Sequence, residues 1–375
     1  MNGLFALGSN GSGQLGIGHK EDVSVPKQVE FVGEAPEDDV VQIAAGGNHT
    51  IILTGTGRAY WAGDPSSGAC GIVEKPGDVE VCKFRELVLS TSERLGPVAH
   101  VACTWDSSVF ALKDLSGKVT QVYTCGVADA GEAASTNPDS AYVERPVLLS
   151  NFPPSESEVT SLAAGFRHVV AVLDNGEVYG WGNGRKGQLG ELDDRADSKG
   201  VIHQPRKIHG IGFKVAKAVC CQYATCLISE PGDGRILVLG ADKWGLKSSA
   251  PIEIPNWNMI SASWGGIYIL QRNGTLVAWG RDDHGQLPPT GLPELESISA
   301  GSEHVLALTR DGDVLSWGWG EHGNCGPQTE KSGDVKGRWN VLASLKHLPE
   351  GSQITATGAG CATSWVNIKA DGLFL

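Results

Sequence analysis

The sequence predicts an all-β protein, a seven-bladed β-propeller forming a single domain over residues 1–375. Three observations carry that prediction. Two short motifs alternate along the chain seven times each, Asx-Gly turns punctuate β-rich runs between them, and each chain end carries part of one repeat.

The first motif is a strand ending in an aromatic or Leu plus Gly, followed by a polar, glycine-rich turn. It is clearest at Leu7-Gly8-Ser9-Asn10-Gly11-Ser12-Gly13-Gln14-Leu15-Gly16, at Trp181-Gly182 with Gly187-Gln188-Leu189-Gly190, and at Trp279-Gly280 with Gly285-Gln286-Leu287. Weaker copies sit at Ala62-Gly63, Cys125-Gly126, Leu239-Gly240 and Trp317-Gly318, so successive glycines lie 55, 63, 56, 58, 40 and 38 residues apart. The second motif is small-Gly-x-x-His before an apolar strand, as in Ala45-Gly46-Gly47-Asn48-His49, Ala164-Gly165-Phe166-Arg167-His168 and Ala300-Gly301-Ser302-Glu303-His304. Degenerate copies are Ala102-Cys103-Thr104-Trp105-Asp106, Cys220-Cys221-Gln222-Tyr223-Ala224, Ala262-Ser263-Trp264-Gly265-Gly266 and the stretch near Gly360-Cys361-Ala362-Thr363. Strict alternation of seven and seven defines seven units.

Between the motifs, Asn175-Gly176, Asp233-Gly234, Asn273-Gly274 and Asp311-Gly312 separate β-forming runs such as Val305-Leu306-Ala307-Leu308 and Val314-Leu315-Ser316-Trp317. Asx-Gly in that setting signals a hairpin with a type I′ turn. Units of this size made of short antiparallel strands close as propeller blades. Leu4-Phe5-Ala6-Leu7 lacks a preceding second motif and Ser364-Trp365-Val366 lacks a hairpin partner. The two ends are therefore expected to complete one blade together.

Composition agrees with this architecture. Apolar residues make up 41% of the chain, enough for a substantial core, and 51 glycines supply many tight turns. A net charge of −13 repels phosphate backbones, and no basic patch or tail offsets it, so direct nucleic-acid binding is not expected. Apolar runs stay far short of the roughly 20 residues of a membrane helix, and the start of the chain has no secretory leader pattern. Nine scattered cysteines fit reduced thiols in the cytoplasm or nucleus better than a disulfide framework.

The residues quoted above resemble the regulator of chromosome condensation repeat family across essentially the whole chain, which makes this family's propeller the expected fold, closed by N- and C-terminal strands in one blade. A WD-repeat propeller is disfavoured, because Trp105-Asp106 is the one such dipeptide near a fitting context. Within the family, Trp317-Gly318-Trp319-Gly320-Glu321-His322-Gly323-Asn324-Cys325-Gly326-Pro327-Gln328, Cys103-Thr104-Trp105-Asp106-Ser107, the opening Ala6-Leu7-Gly8-Ser9-Asn10-Gly11 and Gly360-Cys361-Ala362-Thr363-Ser364-Trp365-Val366 resemble the killer-toxin-insensitivity group of fungal alpha-tubulin suppressors. That resemblance implies a heterodimer with a small CSL-type zinc-finger electron carrier. Through it come roles in diphthamide synthesis on elongation factor 2 and in Elongator-dependent modification of tRNA wobble uridines. The alternative is a guanine-nucleotide exchange factor for a small GTPase, the role of the family's founding member. The insertion 127–145 is long enough for the wedge such a role needs but shows no evident hairpin. Chromatin binding is disfavoured by the acidic charge.

No enzyme or cofactor motif survives its context. Gly11-Ser12-Gly13-Gln14-Leu15-Gly16 and Gly182-Asn183-Gly184-Arg185-Lys186-Gly187 match G-x-G-x-x-G, but a dinucleotide fold needs that turn between a strand and a helix. Gly240 to Ser248 approaches a P-loop, with Leu246 breaking the Gly-Lys adjacency. His322 and Cys325 are half of a tetrahedral metal set at most, so no metal is expected. His49, His168 and His304 recur at one repeat position and are expected to hydrogen-bond neighbouring backbone.

Large aromatics that interrupt the repeat are the partner-binding candidates. Trp105, Asp106, Phe166, Arg167, Tyr223 and Trp264 fall in second-motif loops, which should emerge on one face, and Trp, Tyr and Arg dominate interface energetics. Some of these rings could instead fold inward at the channel mouth. Trp319, Glu321, His322 and Asn324 form a second cluster, and insertions 64–97, 127–145 and 327–340 are expected as polar rim loops.

Overall fold

A computed structural model describes residues 3–72, 80–88, 96–135, 142–192 and 196–370. It contains seven antiparallel sheets, whose innermost strands neighbour one another in an unbroken ring. In chain order these strands are Val40–Ala45, Val98–Cys103, Val159–Ala164, Lys217–Cys220, Trp257–Ala262, Leu295–Ala300 and Ser352–Ala359. They open the first to seventh blades. The seventh is the closing blade, in which Gly3–Gly8 lies between Val23–Gln28 and Thr363–Ala370. Blades four and five have three strands each, which accounts for the short 40- and 38-residue spacings.

Every first-motif glycine is conformationally required. Gly8, Gly63, Gly126, Gly182, Gly240, Gly280 and Gly318 have φ between +96° and +123°. A Cβ on any of them would lie 2.2 to 2.6 Å from a carbonyl oxygen of the second-motif loop. The residue after each glycine donates its N–H to that same carbonyl, as in Asn183 N to Arg167 O at 2.8 Å and Trp319 N to Glu303 O at 2.9 Å.

The other motif residues join neighbouring blades. The Trp181 indole donates to Glu132 O, Trp279 to Leu246 O and Trp317 to Gln286 O, at 2.9 to 3.1 Å, each acceptor lying six residues past the previous blade's turn glycine. Gln14, Gln188 and Gln286 close their own turns, each accepting from a backbone N–H two residues earlier at 2.9 Å. Leu15 and Leu189 are fully buried behind them. The Nε2 atoms of the motif histidines bond side-chain hydroxyls rather than the backbone. His49 meets Ser108, His168 meets Thr225 and His304 meets Ser364, at 2.9 to 3.0 Å, each hydroxyl belonging to the next blade. Ser364 donates its own proton to Asn324 O, so His304 Nε2 is the donor to it. The imidazole packs where a Cβ on the motif's Gly would sit, 2.3 to 2.4 Å from Cε1, which is why Gly46, Gly165 and Gly301 are glycines.

Three further expectations need correction. The Asx-Gly turns are not type I′, because only the glycine has positive φ. Gly176 N bonds Leu173 O and Leu173 N bonds Glu177 O, a longer loop of turn plus left-handed Gly, with Asn175 Oδ1 accepting from Glu177 N. In the second blade the motif is shifted by one residue, since Ser107, not Asp106, pairs with Gly126 as His49 pairs with Gly63. The insertions are not wholly loops: Arg85–Glu86, Tyr142–Leu148 and Asp334–Ser344 are outer strands. Segments 73–79, 89–95 and 136–141 of the insertions lie outside the described residues.

Two outcomes follow from this geometry. Removal of residues 1–8 deletes the strand that ties the two ends of the chain together, and should lower the melting temperature by roughly several degrees or more. An unchanged melting curve would show that the seam is dispensable. The second outcome concerns pH, because burial pushes the His49, His168 and His304 imidazoles down to about 4 from the ordinary 6.5. The unfolded chain takes up these protons first as pH falls, so stability is full above about 6.5 and is lost progressively towards 4. Denaturant titrations should show that decline, and His304→Gln should make it shallower.

Candidate functional site

Strand direction places both motif loops on one face. Each innermost strand runs up to its second-motif loop, and the third strand returns to the same end at the first-motif turn, where the glycine clips the two together. All ten sequence-derived candidates therefore belong to this face, but they divide into three sets.

The middle loop position is occupied in blade order by Gly47, Trp105, Phe166, Gln222, Trp264, Ser302 and Cys361. Trp105, Phe166, Trp264, Ser302 and Cys361 line the axial cavity, whereas Gln222 lines a recess between the third and fourth blades. Backbone bonds run between their loops from blade to blade, with Gly47 N on Trp105 O, Trp105 N on Phe166 O, Gln222 N on Trp264 O and Trp264 N on Ser302 O. Trp105, Phe166 and Trp264 meet across the channel mouth, with ring centroids 5.2, 5.6 and 5.7 Å apart. Gly47 leaves room for the Trp105 indole, since a Cβ there would come within 2.5 Å of it. The rings are half-buried and cap a cavity of about 220 Å³ walled by Ala44, Ala102, Ala163, Cys103 and Cys220 among others. The inward packing foreseen as a possibility thus occurs, and it gathers three distant aromatics into one cluster.

The third loop position points outward and carries Asp106, Arg167 and Tyr223. Arg167 donates to Asp129 at 2.8 Å, lies over the Phe166 ring and stands 3.9 Å from Glu132. Glu132 occupies the place of the motif glutamine, and burial pushes its carboxyl up to about 7. Burial also raises Asp106, against the pull of Arg167. Tyr223 shares a recess with Phe166 and Arg167.

The remaining candidates sit at the seam between the sixth and closing blades. Trp319 packs edge-on against His322, whose Nδ1 lies 2.8 Å from Asp22, and Glu321 is exposed beside them. Asn324 is not at the surface. It is fully buried, donating to Trp319 O at 2.7 Å and accepting from Ser364, so it shapes the turn that presents Trp319. Cys325 is buried against Trp319 O, and among the described residues no three His, Cys, Asp or Glu side chains converge as a metal set. All nine cysteines are free thiols.

One further aromatic belongs to this face. Trp244, in the P-loop-like turn that Leu246 interrupts, adopts φ +59°, a conformation that costs a bulky residue energy. Its ring is held between Lys243 Nζ at 3.9 Å and Arg281 at 5.0 Å and packs against Gly265, beside Trp264. Arg281 is itself fixed by Asp283 and Glu303 at 2.6 Å each. The available signal is a Trp where the equivalent turns carry Ser, Ala, Lys or His.

Comparison with known proteins gives this face its family context. An RCC1 repeat-containing protein of Schizosaccharomyces pombe is 31% identical over 293 residues, covering 76% of this chain and 78% of that protein. A secretion-regulating guanine nucleotide exchange factor of Mus musculus is 27% identical over 76% of this chain, which spans 61% of its length. Among solved structures, Prp20p of Saccharomyces cerevisiae, characterised for binding to Gsp1p and histones, superposes with a TM-score of 0.79 at 19% identity. The superposition covers 99% of this chain and 92% of that one, and establishes the shared propeller fold. The RCC1-like domain model matches residues 3–366, and the chain belongs to the RCC1-like domain family.

Proposed function

We propose that the chain is a non-catalytic platform that holds a protein partner against the face bearing Trp105, Phe166 and Trp264. The observation that carries this reading is the aromatic cluster itself. Three large rings meet at the mouth where other blades place Gly, Gln, Ser or Cys, and Arg167, Tyr223 and Trp244 stand around them. Rigid aromatics ringed by arginine have the composition of interface hot spots.

The relatives favour a small GTPase as the partner, since the mouse and cattle relatives are guanine nucleotide exchange factors. In that role the face would grip the GTPase more tightly without nucleotide than with it, accelerating nucleotide release without making or breaking a covalent bond. A second reading is a heterodimer with a small CSL-type zinc-finger electron carrier, serving diphthamide synthesis and, through Elongator, tRNA wobble uridine modification. It is favoured by the closing-turn residues Trp319, Glu321 and His322, exposed or half-buried at the seam. Either partner would be met in the cytoplasm or nucleus.

Binding of the purified chain to a panel of nucleotide-loaded small GTPases and to a CSL-type zinc-finger protein tests both readings. Trp105→Ala and Trp264→Ala should each weaken binding by about 30-fold or more, as loss of a hot-spot residue does. Faster release of a fluorescent guanine nucleotide assigns the GTPase; zinc-finger binding without exchange assigns the carrier. Binding to neither, or equal binding by both variants, would sink the platform reading.

A further inference from the structure

On this acidic chain, one recess of the loop face concentrates positive charge. Phe166, Arg167, Arg185, Lys186, Gln222 and Tyr223 line a cavity of about 300 Å³ between the third and fourth blades, and no carboxylate is among its lining residues. Arg185 and Lys186 are exposed neighbours on the turn that follows Gly182, and neither makes an ion pair among the described residues. Their turn is fixed, because Asn183 Oδ1 accepts from Arg185 N at 3.1 Å and Gln188 Oε1 from Lys186 N at 2.9 Å. Arg167 completes the set from the loop side, anchored on Asp129 and stacked on Phe166. Corresponding turns differ in their charge: the one after Gly280 carries Asp282 and Asp283 beside Arg281, the one after Gly318 carries Glu321, and the one after Gly240 carries Asp242 with Lys243 and Lys247.

We propose that this recess captures an acidic segment of a protein partner, with Asp or Glu carboxylates on Arg185, Lys186 and Arg167 and an apolar side chain between Phe166 and Tyr223. Arginine pairs with carboxylates through paired N–H donors, and the ring walls suit a side chain rather than a bare ion. A cavity of this size takes one or two side chains. A long phosphate backbone would be repelled by the net charge of −13. The inference deepens the platform reading, because the recess borrows Phe166 and Arg167 from the same face. It requires an acidic surface on the partner, whichever partner it is.

The test uses the full chain and a short Glu/Asp-rich peptide containing one Phe, with its Gln/Asn counterpart as the neutral control. Calorimetry or fluorescence anisotropy should give saturable binding of the acidic peptide alone, falling steeply with added salt. The double variant Arg185→Glu/Lys186→Glu should bind at least about tenfold more weakly while keeping its melting temperature, since both side chains are exposed. Absence of saturable binding, equal binding by the variant, equal binding of the neutral peptide, or displacement by inorganic phosphate or an oligonucleotide as effective as the peptide would each overturn the proposal. The platform reading fails on different grounds. If no partner binds the face while the peptide still binds in a variant-sensitive way, the recess stands and the platform's partner classes fall.

Discussion

The structure depends on one backbone contact repeated seven times. In every blade the glycine that ends the third strand lies against the loop between the first two strands, and the next N–H bonds that loop's carbonyl. Any side chain there would meet a carbonyl oxygen at 2.2 to 2.6 Å, and positive φ would strain it as well. The clip sets where both loops emerge, so it also sets where the Gln-Leu-Gly turn can wedge and where the next blade's indole finds its acceptor. Trp181, Trp279 and Trp317 each reach a carbonyl whose position the preceding blade's glycine has fixed. Blade-to-blade packing is thus downstream of a contact within the blade.

This dependence explains why the loop face can vary without loss of the wheel. With the clip made entirely by backbone, it places no demand on the side chains of the two central loop residues. In sequence they run Gly47-Asn48, Trp105-Asp106, Phe166-Arg167, Gln222-Tyr223, Trp264-Gly265, Ser302-Glu303 and Cys361-Ala362, without a shared chemistry. The histidines illustrate the opposite case. His49, His168 and His304 are buried and neutral, and each joins its blade to a hydroxyl of the next, so they are tied to stability rather than to binding.

The same distinction decides what was legible in the sequence. Anchor glycines, Trp-Gly pairs and Gln-Leu-Gly turns were legible because a backbone constraint or an interblade hydrogen bond demands a particular residue type. Blade closure followed from the motifs left incomplete at the two ends. The one-residue slip at Thr104-Trp105-Asp106-Ser107 arose because Ser107 replaces the histidine that marks register elsewhere. Whether a loop residue faces the axis or the outside could not be read, since neighbouring positions accept any side chain and only coordinates separate Phe166 from Arg167. Asn324 looked like a surface residue because its turn is polar, yet it stands where other turns place the buried motif glutamine. For Trp244 the residue type at its turn position is the one signal, since a left-handed backbone leaves none in a residue other than glycine.

On the proposed platform reading, closure and recognition share residues at the channel mouth. The innermost strands present mainly alanine and cysteine to the axis, which leaves a cavity that their own side chains do not fill. Trp105, Phe166 and Trp264 cover it by packing on one another, and this mutual contact fixes their ring orientations before any partner arrives. Part of each ring's apolar surface is already buried, which reduces the hydrophobic gain available on binding. Less side-chain entropy remains to be lost, however, and that reduces the cost of association. The balance favours a partner that meets the rings as a preformed surface and leaves the loops where the clips hold them. Specificity then falls to the charged surround, where the third blade offers Arg167, Arg185 and Lys186 and the fifth offers Asp282 and Asp283. A partner docked on the rings as proposed would be oriented about the propeller axis by that asymmetry, because a sevenfold wheel with uniform loops has no preferred rotation.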